Sequence, residues 1–577
     1  MAAKNKAKKK RGPVRKALRF LLFTLLLASI AFFLYLWLWP SGDRDPWDFV
    51  PEDAVFVIEA DDPIENWKDL SDTDVWKHLK KNELMADIEG DANYLDTLID
   101  DNGILFDVIN ERKLLIVAQM TRADDYDFIY LMNLRGGEKV MNTFFIGILK
   151  PIMKAAGYPM QNVDFGNDIK GYSINDGEDD IYLSLQENIL VSSYSKKLLI
   201  SSVNQGKKPF YTKNKNFQSV RDGAYDEANR SSIGKAHLNF DQLDEYMNVF
   251  MDEVTGTVID LSKSLSYGSF DIKMDDEFAQ LEGIVSPDTS EISLATVLLD
   301  QETSEIKASK ILPNNTSFLL TIDYDDFDYF YQSIADLMGE NEGYQEFEKT
   351  KNRIGNLLGV NKNEKKRNRA ERKGKDKDYW DWLGQEIALA TLPVNETGSK
   401  QAYLALIHTD DYANAVHDLE AIAKKVRRRT PVKFKDYEYR GKDIRYLALK
   451  GFFRLFLGKL FKQFDKPKYA ILDEFVVFSN DTTAIHRVID AEIKEEALYG
   501  EENYRRISKE FDDESNFFIY MNSKELYPFL PSMVDDETAR DIRKNKQFIT
   551  SFPYIGLQLT NDNGLFETQL YMEFQKP

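Results

Sequence analysis

The chain repeats itself, and the repeat limits its possible folds more than any single motif does. VPEDAVFVI, Val50 to Ile58, is matched by LPNNTSFLL, Leu312 to Leu320. Each reads as a proline-led turn into a buried strand. Lys113 to Met120 followed by Asp127 to Leu134 parallels Glu386 to Leu392 followed by Lys400 to Ile407, and each pair reads as a β-hairpin. Gly166-Asn167-Asp168-Ile169-Lys170 parallels Gly441-Lys442-Asp443-Ile444-Arg445, a turn feeding a strand. YLSLQENILVSS, Tyr182 to Ser193, parallels YAILDEFVVFSN, Tyr469 to Asn480. Leu238 to Leu243 parallels Met521 to Leu526, where an Asn ends a strand and caps a helix. Phe270 to Ile284 parallels Tyr554 to Tyr571 as a terminal hairpin. The order is the same throughout, which points to two copies of one unit.

Between the strands lie helical stretches at Ile64 to Leu84, Glu138 to Ala156, Tyr412 to Val426 and Thr482 to Ala497. Antiparallel hairpins with interposed helices predict an α+β fold, with helices packed on one sheet face in each copy. No βαβ series with Gly-rich turns appears, which argues against a doubly wound parallel sheet. The copies are expected at residues 50–305 and 306–577.

Ahead of them, residues 20–39 form an unbroken apolar run, FLLFTLLLASIAFFLYLWLW. Twenty residues at helical rise span roughly 30 Å, so the run reads as one N-terminal transmembrane helix. A cleaved signal peptide is the rival reading, but its apolar core is shorter. Residues 1–19 hold nine basic residues and no acid, so they read as a cytoplasmic tail, and residues 40–49 as a linker to a domain on the far side.

The net charge is −21, and 66 basic against 96 acidic residues remain after the tail, a net of −30. That disfavours nucleic acid as a partner, because phosphates are repelled over most of such a surface. With no cysteine, disulfides and thiolate chemistry are excluded, and so are Cys-based metal sites.

The distance between matched segments grows along the chain, from 262 at Pro51/Pro313 to 287 at Tyr182/Tyr469. The second copy has therefore gained material. One gain lies at residues 361–378, basic and almost free of apolar side chains, which reads as a solvated loop or a basic patch. The other is GFFRLFLGKLFKQFD, Gly451 to Asp465. As a helix it places Phe453, Phe456, Leu457, Leu460 and Phe464 on one face, widened by Phe452, with Lys459 and Lys462 opposite. That is a candidate contact helix for a membrane surface or a partner groove, against the alternative of packing on its own sheet.

Catalytic motifs are absent from the sequence. His78, His237, His408, His417 and His486 show no paired spacing, and there is no HExxH, GxSxG or phosphate loop. Asn175-Asp176-Gly177-Glu178 is at most a weak ion-binding turn, so neither catalytic, cofactor nor metal residues are assigned.

The proline-led strand, the G-x-D-I-[KR] turn, the YAILDEFVVFSN hairpin and the following helix resemble an uncharacterised bacterial family. Its members are single-pass, membrane-anchored envelope proteins with a duplicated periplasmic ectodomain and no assigned function. The resemblance implies an inner-membrane protein with a cytoplasmic N-terminus and a periplasmic ectodomain. It carries over no catalytic residue. The expected function is a membrane-tethered, non-catalytic binding or scaffold protein whose partner is an envelope protein or an apolar ligand. The alternatives are a carrier or chaperone for lipid or outer-membrane protein, and a hydrolase with a dispersed site.

Overall fold

The computed structural model describes residues 44–81, 112–123, 125–134, 150–155, 159–175, 179–223, 232–250, 263–290, 293–325, 382–395, 397–429, 436–447, 467–532 and 536–577, and residues 147, 330, 333, 464 and 534. In chain order the first ten strands are β1 (Ala54–Ala60), β2 (Leu114–Arg122), β3 (Asp125–Asn133), β4 (Gln161–Gly166), β5 (Ile169–Asn175), β6 (Asp180–Gln186), β7 (Ile189–Ser193), β8 (Gly234–Asn239), β9 (Leu265–Met274) and β10 (Phe278–Pro287). The rest are β11 (Ser304–Glu305), β12 (Phe318–Asp323), β13 (Glu386–Pro393), β14 (Gln401–His408), β15 (Tyr437–Tyr439), β16 (Lys442–Tyr446), β17 (Lys468–Leu472), β18 (Phe475–Ser479), β19 (Glu514–Ser515), β20 (Phe517–Asn522), β21 (Tyr554–Asp562) and β22 (Leu565–Glu573).

All but β11 and β19, which pair with each other, belong to one sheet of 20 strands. Following the pairings, the first set runs β4-β5-β6-β7-β3-β2-β1-β8-β9-β10. The second runs β15-β16-β17-β18-β14-β13-β12-β20-β21-β22. The strand order is the same in both, and every pairing is antiparallel. The two sets meet at β10 and β22, which pair along eight residues from Phe278↔Glu573 to Val285↔Phe566.

This corrects the expectation of one N-terminal transmembrane helix plus two repeated domains of antiparallel sheet with helices packed on it, since the two sets form one sheet. The last strand of each set is an open edge with unpaired N–H and C=O groups, and pairing the two edges satisfies both. Among the described residues no helix is long and apolar enough to cross a membrane. The longest described, Tyr412–Arg429, carries Asp418, Glu420, Lys424 and a basic end. Residues 20–39, expected to form the span, lie outside the described residues, as do 361–378.

The ladders match residue by residue. Val57 pairs with Val117 and His237 in the first set. Leu319 pairs with Ala390 and Tyr520 in the second. The helices that follow β7 and β18 also match. Ser195 caps Lys196–Gln205, and Asp481 caps Thr482–Lys494. Ser193 Oγ donates to the Phe128 carbonyl at 2.7 Å, and Ser479 Oγ donates to the Tyr403 carbonyl at 2.7 Å. At the β4–β5 turn the structure differs from the sequence alignment. The two residues between the closing pairs Gly166↔Ile169 and Tyr439↔Lys442 are Asn167-Asp168 in one set and Arg440-Gly441 in the other, all left-handed, so Gly441 matches Asp168 and not Gly166.

One face of each set is packed by its helices. In the first, Val57, Leu115, Val117, Ile129, Leu131 and Val191 meet Leu199, Val203 and Phe217. In the second, Leu319, Ala388, Ala390, Leu404, Leu406 and Val477 meet Ile485, Ile489 and Tyr504. The opposite face of the second set is buried too, in a core that reaches across the join to Phe240, Phe270 and Val285. The corresponding side chains of the first set, Phe56, Ile58, Ile116, Phe128 and Tyr130, are half-buried.

Candidate functional site

Strand β1 reads AVFVIEA. Alternation puts Val57 and Glu59 on the same face, so an acid falls in an apolar register. Glu59 is 3 % exposed. On the neighbouring strand His237 lies opposite Val57, and on the next Ser269 lies opposite His237. Ser269 Oγ is 3.0 Å from His237 Nδ1, and His237 Nε2 is 3.3 Å from Glu59 Oε2. Three strands thus align a hydroxyl, an imidazole and a carboxylate.

Two further donors reach the same carboxylate. Trp47 Nε1 donates to Glu59 Oε2 at 2.9 Å, and Lys113 Nζ pairs with Oε1. Trp47 sits on the short helix Pro46–Phe49, whose first turn is capped by the Asp45 side chain. Its ring lies edge-on to His237 at 4.9 Å and tilted on Phe217 at 4.8 Å. Burial alone would raise the Glu59 carboxyl. Hydrogen bonding to His237 and the charge of Lys113 reverse this and hold it well below the usual carboxylate range. Burial lowers the His237 imidazole below its ordinary value, against the opposing pull of Glu59. The consistent assignment is an ionised Glu59 and a neutral His237 with its proton on Nε2. Nδ1 then accepts from Ser269.

This arrangement has the parts of a nucleophile, base and orienting acid. It lacks access. Ser269 is fully buried and His237 is 2 % exposed. The adjoining cavity, lined by Trp47, Tyr211, Phe217 and Asn239, measures about 10 Å³. That holds one water molecule at most.

The second set places different residues at the same ladder positions. Glu59 pairs with Leu115 and Lys235, and Thr321 pairs with Ala388 and Phe518. Tyr520 stands where His237 stands, and Gly556 opposite it where Ser269 does. A Cβ on Gly556 would meet the Phe511 ring at 2.4 Å, so aromatic packing fills the space a serine would need. The second set carries its own buried acids, Asp323 and Glu386, directly opposite each other on β12 and β13. Burial raises both, Glu386 to about 7 and Asp323 well above its usual value.

Of the candidate contact residues, Phe452, Phe453, Phe456, Leu457 and Leu460 lie outside the described residues. Phe464 is 3 % exposed and belongs to the core shared across the join. His78 packs between the rings of Phe548 and Phe574, and His486 stacks on Tyr439 at 3.8 Å. His417 is exposed beside Asp418, and His408 is buried with its Nε2 3.4 Å from Lys307 Nζ. Among the described residues no group of three His, Asp or Glu is placed to hold a metal ion. Asn175 donates to Asp180 at 3.0 Å, and residues 176–178 lie outside the described set.

Sequence reasoning noted His237 only as a lone histidine and missed Glu59, Ser269, Asp323 and Glu386. The available signal was an acid in the buried register of a strand, in AVFVIEA, in FLLTID and at the head of EIALATLP.

Residues 370–560 match a protein family of unknown function, DUF3352. The matched segment falls within the second set, from ahead of β13 into β21. No curated protein matches the chain, and no solved structure does.

Proposed function

We propose that the chain is a non-catalytic binding or scaffold protein built from two copies of one ten-stranded unit, about residues 50–305 and 306–577, fused through like edges. The observation that carries this reading is the burial of Ser269, His237 and Glu59 beside a cavity of about 10 Å³. A hydrolase needs its nucleophile within reach of a carbonyl carbon and donors aimed at the oxyanion. Here the serine is spent on holding a neutral histidine, and the carboxylate on holding Trp47 and Lys113. The same positions in the second copy hold Thr321, Tyr520 and Gly556, so the unit forms without these groups.

The test is exposure of the full chain to a fluorophosphonate serine probe and a panel of activated esters. No Ser269 adduct and no turnover are expected. Labelling or turnover that disappears in Ser269→Ala and in His237→Ala would overturn the reading. Its positive side is checked by cross-linking the chain in its native cells, where a partner in fixed ratio is expected and recovery of the chain alone counts against it.

A carrier for an apolar ligand is the second reading. It is favoured by a half-buried aromatic cluster on the first copy. The Phe56 and Tyr246 rings lie 5.5 Å apart, and Tyr126 and Tyr246 5.0 Å. Saturable binding of a fluorescent fatty acid, lost in Phe56→Asp, would favour it over the scaffold.

A further inference from the structure

The residues joining β10 to β12 are gripped by two buried acids. Glu386 accepts the backbone N–H groups of Lys307 at 2.7 Å and Ala308 at 3.0 Å. Asp323 accepts the Ser304 hydroxyl at 2.9 Å and the Thr321 hydroxyl at 3.2 Å. Ser304, Lys307 and Ala308 all belong to the connector, and the two acids sit directly opposite each other where β12 ends and β13 begins. Both are at most 1 % exposed.

The first copy treats the same place differently. Extending its ladder by one pair beyond Ala60↔Leu114 brings Asp61 opposite Lys113, and these form an ion pair at 3.5 Å. An acid and a base at that position neutralise each other. Two acids at cross-strand spacing cannot both ionise cheaply, so the closed form retains proton where an exposed pair would not.

We propose that Asp323 and Glu386 form a proton-dependent latch that holds the connector between the two copies and loosens it as pH rises. Opening the connector hydrates both carboxyls and lets them ionise. The open form binds fewer protons, so loss of proton to solvent favours it. The groups facing the pair set the range. Burial favours protonated Glu386, and against it the Lys307 and Ala308 amides and then the Lys307 and Lys310 charges on the connector favour the ionised form. Lys307 also stands beside His408, whose other neighbours are Asp410 and Glu474, each at 3.6 Å. Tyr324 and Tyr504 adjoin the acids, and burial keeps both phenols protonated, Tyr504 up to about 12.

Hydrogen exchange of the full chain tests this between pH 5.5 and pH 8, with rates corrected for intrinsic base catalysis. Protection at the Lys307 and Ala308 amides should fall at least about tenfold over that range, while the β1 amides of the first copy hold theirs. Asp323→Asn keeps the shape of the pair and removes the like charge. Glu386→Gln removes the other ionisation. Each should flatten the pH dependence at the connector, and Asp323→Asn decides alone if Glu386→Gln does not fold. A flat wild-type profile would sink the latch. So would an equal fall in Asp323→Asn, or a parallel fall at the β1 amides, which would mean global unfolding.

Discussion

Where β1 carries Glu59 against His237 and Ser269, β12 carries Thr321 against Tyr520 and Gly556. Where the first set of strands has Lys113 beside Asp61, the second has Glu386 opposite Asp323. The pairing frame is the same in both, yet the polar interiors are not. Backbone pairing therefore decides the architecture, and side chains at matched positions are free to diverge so long as each buried polar group keeps a partner. The first set surrounds its buried acid with Trp47 and Lys113 as donors and His237 Nε2 at 3.3 Å. The second removes that acid, fills the space with aromatic rings and places its acids at the strand ends.

The largest test of this contrast is Glu59→Ala against Thr321→Ala. Removing Glu59 leaves Trp47 Nε1, His237 and Lys113 without their shared acceptor. It should cost about 3–5 kcal/mol, as loss of one partner from a buried ion pair does. Thr321→Ala removes a single hydroxyl bond and should cost about 0.5–1.5 kcal/mol. Denaturant midpoints of the two variants check this, and equal losses would break the comparison.

Steric fit comes next. Gly556→Ser imports the first set's residue into the second and drives its Cβ into Phe511. A loss of about 1–3 kcal/mol is expected. Pairing it with Phe511→Ala should recover part of the clash, which a double-mutant cycle measures.

Opposite pH limbs separate the two sets further. Glu59 is held below its ordinary value near 4.5. Its contribution is present above that pH and lost as pH falls through the depressed value. Glu386 is raised to about 7. Its contribution is fullest below pH 4.5 and lost as pH rises through about 7. Thermal unfolding across pH should therefore lose its acid limb in Glu59→Gln and its near-neutral decline in Glu386→Gln. Loss of the wrong limb in either variant would contradict the assignment.

The smallest effect is a matched one. Ser193 and Ser479 make the same bond at 2.7 Å to the carbonyl of Phe128 and of Tyr403. Ser193→Ala and Ser479→Ala should each cost about 1 kcal/mol, and equally. A clear inequality would show that the two frames differ in rigidity even where their geometry coincides.

Much of the strand order could be read from the sequence because hairpins are local. YLSLQENILVSS and YAILDEFVVFSN do form matched hairpins, β6–β7 and β17–β18. Their like ends deceived by one residue. The turns Glu187 and Asp473, both left-handed, set the match, as do the caps Ser195 and Asp481. Gly166 and Gly441 deceived by two. A glycine marks a turn without saying which turn position it holds, since Asn and Asp also adopt the left-handed region. Expected helices at Tyr412 and Thr482 appear as Tyr412–Arg429 and Thr482–Lys494, where apolar spacing at helical period meets buried strand residues, through Ala415 and Leu419 in one core and Ile485 and Ile489 in the other.

By itself, then, the sequence determined the hairpins and the helices at Tyr412 and Thr482, because each depends on alternation, helical period and turn chemistry within a few tens of residues, whereas the helix expected over Ile64 to Leu84 is broken at Thr73. Only the tertiary structure decided that β10 pairs with β22, that Glu59 meets His237 and His237 meets Ser269, from strands about 180–210 residues beyond Glu59, and that two acids close on the connector. Those contacts are set by which edges remain open and which groups remain unsatisfied once the strands have paired. That is a property of the assembled sheet and leaves no periodic trace along the chain.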